Sequence, residues 1–170
     1  MEDIDSNVML KEKLLTAGID EIATYGTKNF SLRRVAAACG ASCAAPYKHF
    51  KNKEHFIHEI ILYVEEKWEH LSAQIISIFD NPKERIAQLC VAHVRYKLGN
   101  PLFGRGRQSF NPVIEKELAL FCEQYQYNYE ETLFTIATLV TGTAILIEDG
   151  KLENNTNTFQ MLKNRILKEL

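Results

Sequence analysis

Cysteine is scarce in this chain: four residues in 170, at Cys39, Cys43, Cys90 and Cys122. They are too few and too scattered to staple a chain of this length, so reduced thiols are expected. Long apolar runs are missing as well. The longest uncharged stretch, 132–147, has sixteen residues, five of them threonine. A spanning helix needs about 20 apolar residues, so a buried helix is expected and no membrane association. Residues 1–7 hold three acids and no apolar run, unlike a signal or transit peptide, and a cytoplasmic protein is expected. There is no Gly-x-Ser-x-Gly, no phosphate loop and no zinc-binding His pair. The adjacent acids Glu65-Glu66 and Glu130-Glu131 diverge on a helix. Neither catalysis nor a cofactor is indicated. Cys39, Cys43 and His49 invite a metal reading, but no second ligand pair completes a tetrahedral set, so no metal is expected.

Proline is rare too, and three of the four follow asparagine: Asn81-Pro82, Asn100-Pro101 and Asn111-Pro112. Asn is a good N-cap, and Pro is tolerated at the first helical position because its missing N–H would have had no partner there. Each pair reads as a helix start. No segment shows sustained two-residue alternation between hairpin turns, whereas helical apolar spacing runs throughout, so the chain reads as all-α. Helices are expected over about 7–25, 31–39, 42–49, 53–80, 82–98, 112–127 and 132–147, with a last amphipathic one carrying Phe159, Leu162, Ile166 and Leu170. "PLFGRGRQS", with two glycines, reads as a short or irregular helix at best.

Charge is the next asymmetry. The formal net charge is -2, yet residues 27–53 carry six Lys or Arg and no acid. Within that stretch, two short helices meet at a turn, with the small Ala36 where they would cross and Gly40 free to take the turn's backbone conformation. This pattern fits a helix-turn-helix whose second helix enters a DNA major groove. Ser42 is the expected N-cap of that helix, which leaves Pro46 within its first turn, and a cap shifted to Ala44 would relieve strain against the Ser42 carbonyl. Arg33 can reach a guanine edge with two hydrogen bonds. Tyr47, Lys48, His49, Lys51 and Lys53 offer donors to phosphate oxygens. Cys43, Ala44 and Ala45 are small enough for close approach and carry little sequence information.

Three stretches resemble the tetracycline-repressor (TetR) family of bacterial transcriptional regulators. "AGIDEIATYGTKNFSLRRVAAACGASCAAPYKHFKNKEHF" is similar to its N-terminal domain, including the aromatic-Gly pair before the turn and Tyr-x-His-Phe followed by Lys-x-Lys-Glu. "FDNPKERIAQLCVAHVRYKLGNPLF" resembles the start of its ligand-binding core, and "LVTGTAILIEDGK" its penultimate helix. The resemblance implies an N-terminal three-helix helix-turn-helix domain, residues 1–52, followed by a C-terminal helical ligand-binding and dimerisation domain, residues 53–170. It implies a homodimer on a palindromic double-stranded operator, and a small-molecule effector that swings the helix beginning at Lys53. By position, Arg33 and Cys43, Ala44 and Ala45 match base-facing sites; Ser31, Tyr47, His49 and Lys53 match phosphate-contacting sites. Ala45 departs from the pattern, since many members have Thr or Ser there.

The candidate effector residues are the aromatic and polar side chains of the middle helices: Trp68, His93, Tyr96, Phe103, Phe110, Phe121 and Tyr125. The candidate dimer residues lie on the last two helices: Leu133, Ala137, Val140, Ala144, Ile147, Phe159, Leu162 and Ile166. The helix over 132–147 is apolar nearly all round and needs cover that so short a chain hardly supplies. The expected function is a ligand-responsive repressor. The competing reading is a helical small-molecule-binding or thiol-sensing protein that has lost specific DNA reading, with Cys43 as the thiol.

Overall fold

The computed structural model describes residues 2–170, and side chains from residue 8 onward. Its seven α-helices are α1 (Glu2–Tyr25), α2 (Leu32–Ala38), α3 (Lys53–Ile78), α4 (Pro82–Gly99), α5 (Pro112–Tyr125), α6 (Tyr129–Glu148) and α7 (Thr156–Glu169), with a 3-10 turn at Pro46–Lys48. No strand occurs among the described residues. Two compact units form: one holds the chain up to Glu66 together with Asn100–Phe103, the other Lys67–Gly99 and Gly104–Leu170. The boundary therefore falls inside α3, fourteen residues beyond its Lys53 start.

Helix ends follow the local chemistry. Gly26 takes a left-handed φ of 71°, and its N–H closes on the Ile22 carbonyl at 2.8 Å, ending α1. The Oδ1 of Asn111 accepts from the Val113 and Ile114 amides at 3.1 and 3.2 Å, starting α5 at Pro112. Asn128 and Asn155 cap α6 and α7 in the same way. Asn100-Pro101 is the exception among the three Asn-Pro pairs. Residues 101–106 form turns, with Gly104 and Gly106 at φ 75° and 84°, values that no helix contains.

The first unit packs α1, α2 and the start of α3 around Leu14, Ile22, Val35, Ala36, Ile60 and three stacked phenylalanines. Phe50 meets Phe56 edge-on at 4.3 Å between centroids, and Phe30 lies 5.4 Å from Phe56. Gly18 brings α1 against α3, because a β-carbon there would sit 2.5 Å from Cε1 of Phe56 and 2.8 Å from Cδ1 of Ile60. In the second unit α4 packs against α5, α6 and α7. Ile86, Leu89, Val94, Ile114, Leu118 and Phe121 meet Ile136, Val140, Phe159 and Ile166 in one core. Around its rim, Arg85 Nε pairs with Glu117 at 2.7 Å, Lys163 pairs with Glu84, and the Arg95 guanidinium lies over the Phe159 ring at 4.4 Å.

Helix α6 is twenty residues long, four more than the uncharged run within it, and by length and composition alone could cross a membrane. Its Thr132, Ile136, Val140, Ala144 and Ile147 are instead buried in the core of the second unit. This corrects the choice of dimer residues. Val140, Ala144, Ile147, Phe159, Leu162 and Ile166 all face the chain's own core, and only Leu133 and Ala137 are half-exposed. The stripe that α6 leaves uncovered runs through Phe134, Thr138, Thr141 and Ile145, with Phe134 73% exposed. A helix apolar on every side does not disclose in its sequence which side meets its own core.

Candidate nucleic-acid interface

The turn between the two short helical segments follows from Gly40. With Gly40 at φ 65°, its N–H reaches the Ala37 carbonyl at 3.0 Å and the Ala41 N–H reaches Ala36 at 2.9 Å. This paired pattern satisfies the last free carbonyls of α2 and turns the chain sharply. Ala36 is fully buried, as the crossing requires. The second segment departs from expectation. There is no α-helix over 42–49. Ala45, Tyr47, Lys48 and His49 each donate to the carbonyl three residues back, and Ser42 provides a carbonyl rather than a side-chain cap. Pro46 is the cause. It has no N–H to give the Ser42 carbonyl, so the chain tightens to a 3-10 turn and returns to α-type bonding only at Phe50, whose N–H meets the Pro46 carbonyl.

Around this turn Ser42, Cys43, Ala44, Tyr47, Lys48 and Lys51 are exposed, Tyr47 by 62%, while Ala45 is buried. Arg33 is exposed on α2 and its guanidinium makes no hydrogen bond or ion pair among the described residues; the same holds for the amino groups of Lys48 and Lys51. Other predicted contacts are engaged within the chain. Lys53 folds back, its Nζ donating to the Lys28 carbonyl at 3.3 Å over the Phe30 ring. The Nε2 of His49 is buried without a hydrogen-bond partner, and burial, with Lys11 and Lys48 nearby, pushes its pKa below the ordinary histidine value. Both effects favour the neutral ring. Ser31 caps α2 by accepting from the Arg34 amide at 3.4 Å. Cys43 is exposed, whereas Cys39 is half-buried, its Sγ against the Lys13 carbonyl at 3.5 Å and its thiol pKa raised by burial.

Two features were missed in the sequence. Glu21 on α1 is buried and holds Arg34, discussed below. Asn52 starts α3 by accepting from the His55 amide at 2.8 Å, while His55 Nδ1 accepts from the Lys51 amide at 3.2 Å. The Asn-x-x-His spacing was a legible signal for this reciprocal cap, with His in the place usually held by Glu.

The seven effector candidates separate. In the second unit Trp68, His93, Tyr96 and Phe110 cluster, with His93 5.5 Å from Trp68 and 5.2 Å from Phe110, and Tyr96 5.6 Å from Trp68. His93 Nδ1 accepts from Nδ2 of the fully buried Asn111 at 3.0 Å, and burial lowers its pKa to about 4. Phe121 and Tyr125 belong to a different group, 4.7 Å apart and joined by Tyr127, beside an open groove of about 590 Å³ lined by Cys122, Gln126 and Tyr127. Phe103 is buried in the segment that belongs to the first unit.

In an all-helical chain, α2 joined through the Gly40 turn to a 3-10 segment, with the exposed cations Arg33, Lys48 and Lys51 around it, is the arrangement of a helix-turn-helix unit whose second helix is cut short. Comparison with known proteins agrees. Residues 14–60 match the family model of bacterial regulatory proteins, tetR family. A Clostridium perfringens protein described as a fatty acid metabolism regulator shares the fold at a TM-score of 0.69 and 18% identity, over 93% of this chain and 98% of that one. A TetR family transcription regulator from Marinobacter aquaeolei does so at 0.64 and 20%, over 99% and 98%. A Rhodococcus protein of unknown function reaches 0.62 at 18%, over 95% of each chain. No curated protein matches the sequence. The family match lies in the N-terminal part of the chain, and the three solved structures, each under 25% identical, show a shared fold.

Proposed function

We propose that the protein is a cytoplasmic, homodimeric repressor that leaves a palindromic operator when a small molecule binds its second unit, and that it has no catalytic role. The observation that carries the DNA half is the set of exposed, unpaired Arg33, Lys48 and Lys51 with Tyr47 around the Gly40 turn. Such groups meet phosphates and base edges from one side. Arg33 alone among them has the forked geometry for a guanine, and Cys43 and Ala44 permit close approach without hydrogen-bonding to bases. The uncovered stripe of Phe134, Thr138, Thr141 and Ile145 supports pairing with a second copy, which would place two reading units on successive turns of DNA. The aromatic cluster of Trp68, His93, Tyr96 and Phe110 supports effector binding, with the effector favouring the DNA-incompetent form. Selection from a random duplex pool tests the reading. The enriched sequences should be inverted repeats whose half-sites lie about 10 base pairs apart or a multiple of that; enrichment of nothing, or of single half-sites, would contradict it.

A further inference from the structure

A buried carboxylate in the first unit ties α1 to the start of α2. Glu21, on α1, is 7% exposed. A single oxygen, Oε1, accepts from the Ser31 amide at 3.1 Å, from Arg34 Nε at 2.8 Å and from Arg34 Nη2. The same Arg34 donates to the Asn29 carbonyl at 2.5 Å and lies over the Tyr25 ring at 4.3 Å. Ser31 closes the circuit as the N-cap of α2, accepting from the Arg34 amide. One carboxylate therefore gathers the end of α1, the loop through Asn29 and the first turn of α2.

The seven-residue α2 buries Leu32, Val35 and Ala36 on one side, which leaves the fine rotation of its polar side to side-chain ties such as this one. Successive residues on a helix point about 100° apart. Arg34 bends back onto Glu21 while its side chain stays 46% exposed, and the neighbouring Arg33 extends into solvent with no such tie. The two adjacent arginines thus have opposite duties, although both lie in the same basic run. We infer that Glu21 and Arg34 are positioning residues for DNA reading: together they fix the rotation of α2 that presents Arg33, and Arg34 is not a phosphate contact. This rests on the DNA-binding reading above.

Charge alone predicts the reverse of what positioning predicts. Removing the Glu21 carboxylate deletes a negative charge near the DNA and frees Arg34, so simple attraction should tighten binding to any duplex. Positioning instead predicts weaker binding to the preferred sequence only. The test uses the full-length protein with two probes: the tightest duplex selected from a random pool, and a scrambled duplex of the same composition. Glu21→Gln, Arg34→Gln, Arg34→Lys and the Glu21→Gln/Arg34→Gln double variant are compared at a temperature where circular dichroism shows each folded. Glu21→Gln and Arg34→Gln should each lower affinity for the selected duplex about tenfold, the scale of one lost bidentate base contact. Scrambled-duplex affinity and the salt slope should stay unchanged, and the double variant should be no worse than either single one. Arg34→Lys, which keeps a donor for Glu21, should recover part of the loss. A salt slope shallower by about 0.9 in Arg34→Gln would make Arg34 a phosphate contact and overturn the assignment. Lower melting temperatures with unchanged affinities would also overturn it, as the mark of a purely structural tie. A wild-type chain that binds neither duplex would overturn the DNA-binding reading and this assignment together, and is distinct from both results.

Discussion

His93 couples the stability of the second unit to pH. Its ring is buried, accepts a hydrogen bond from Asn111 through Nδ1, and has Lys97 one turn further along α4; burial, then Lys97, lowers its pKa from 6.5 to about 4. The unfolded chain binds a proton at His93 below about pH 6.5, while the folded chain resists it until about pH 4. Between those values the unfolded state holds more protons, so stability falls as pH falls, and the term vanishes above about pH 7. A pKa gap of this size corresponds to about 3 kcal/mol in full and about 2 kcal/mol already at pH 5. The loss is mechanical as well as electrostatic. A protonated Nδ1 cannot accept from Asn111, whose Oδ1 is the cap of α5. Urea denaturation at pH 7.5, 6, 5 and 4.5 should show the decline, and His93→Gln, which keeps an acceptor and cannot be charged, should remove about 2 kcal/mol of it at pH 5. Equal declines in the two proteins, or an NMR titration of the His93 ring near 6.5, would refute the reasoning. Comparing wild type with variant also removes the contribution of His49, whose pKa is lowered too.

Three other substitutions follow from the packing. Gly18→Ala should destabilise by about 1–3 kcal/mol, read as a lower melting temperature, because the new carbon meets the Phe56 ring and Ile60 between α1 and α3. Gln126→Gly should stabilise by about 0.5–1 kcal/mol, because Gln126 ends α5 at φ 61°, a conformation that glycine takes without a β-carbon penalty. Phe134→Glu on the uncovered stripe of α6 should give a folded monomer in sedimentation velocity, whereas Val140→Glu, in the core, should unfold the second unit; a dimer that survives Phe134→Glu would move the interface elsewhere.

What could be read from the sequence was what is written locally. Asparagine caps, the Asn-Pro pairs at 81 and 111, Gly26 and Gly40 all act within a few residues of themselves, and they mark the helix ends correctly. Ala36 and Gly40 disclosed the helix pair for the same reason. The misjudged elements depend on partners distant in sequence or on a balance of small terms. Pro46 was read as tolerable inside an α-helix, but with so few residues available, the loss of one hydrogen bond tips the segment to 3-10 geometry. Lys53 lies in the same basic run, and its bond to the Lys28 carbonyl, 25 residues earlier, has no local mark. The pairing that sets Arg34 apart from Arg33 is with Glu21, thirteen residues earlier, and no local pattern marks it. The all-round apolar α6 carried no mark of its inner side, so side chains of the core were assigned to a dimer.

If the first unit binds DNA, it does so through the exposed cations of α2 and of the turn after Gly40. Binding to the selected duplex, followed by fluorescence anisotropy from 50 to 200 mM salt, tests this most directly. Log affinity should fall linearly against log salt, at about 0.9 per phosphate neutralised, with a slope shallower by about one phosphate in Lys48→Ala and again in Lys51→Ala. An affinity that does not change with salt, or a slope indifferent to both substitutions, would contradict it.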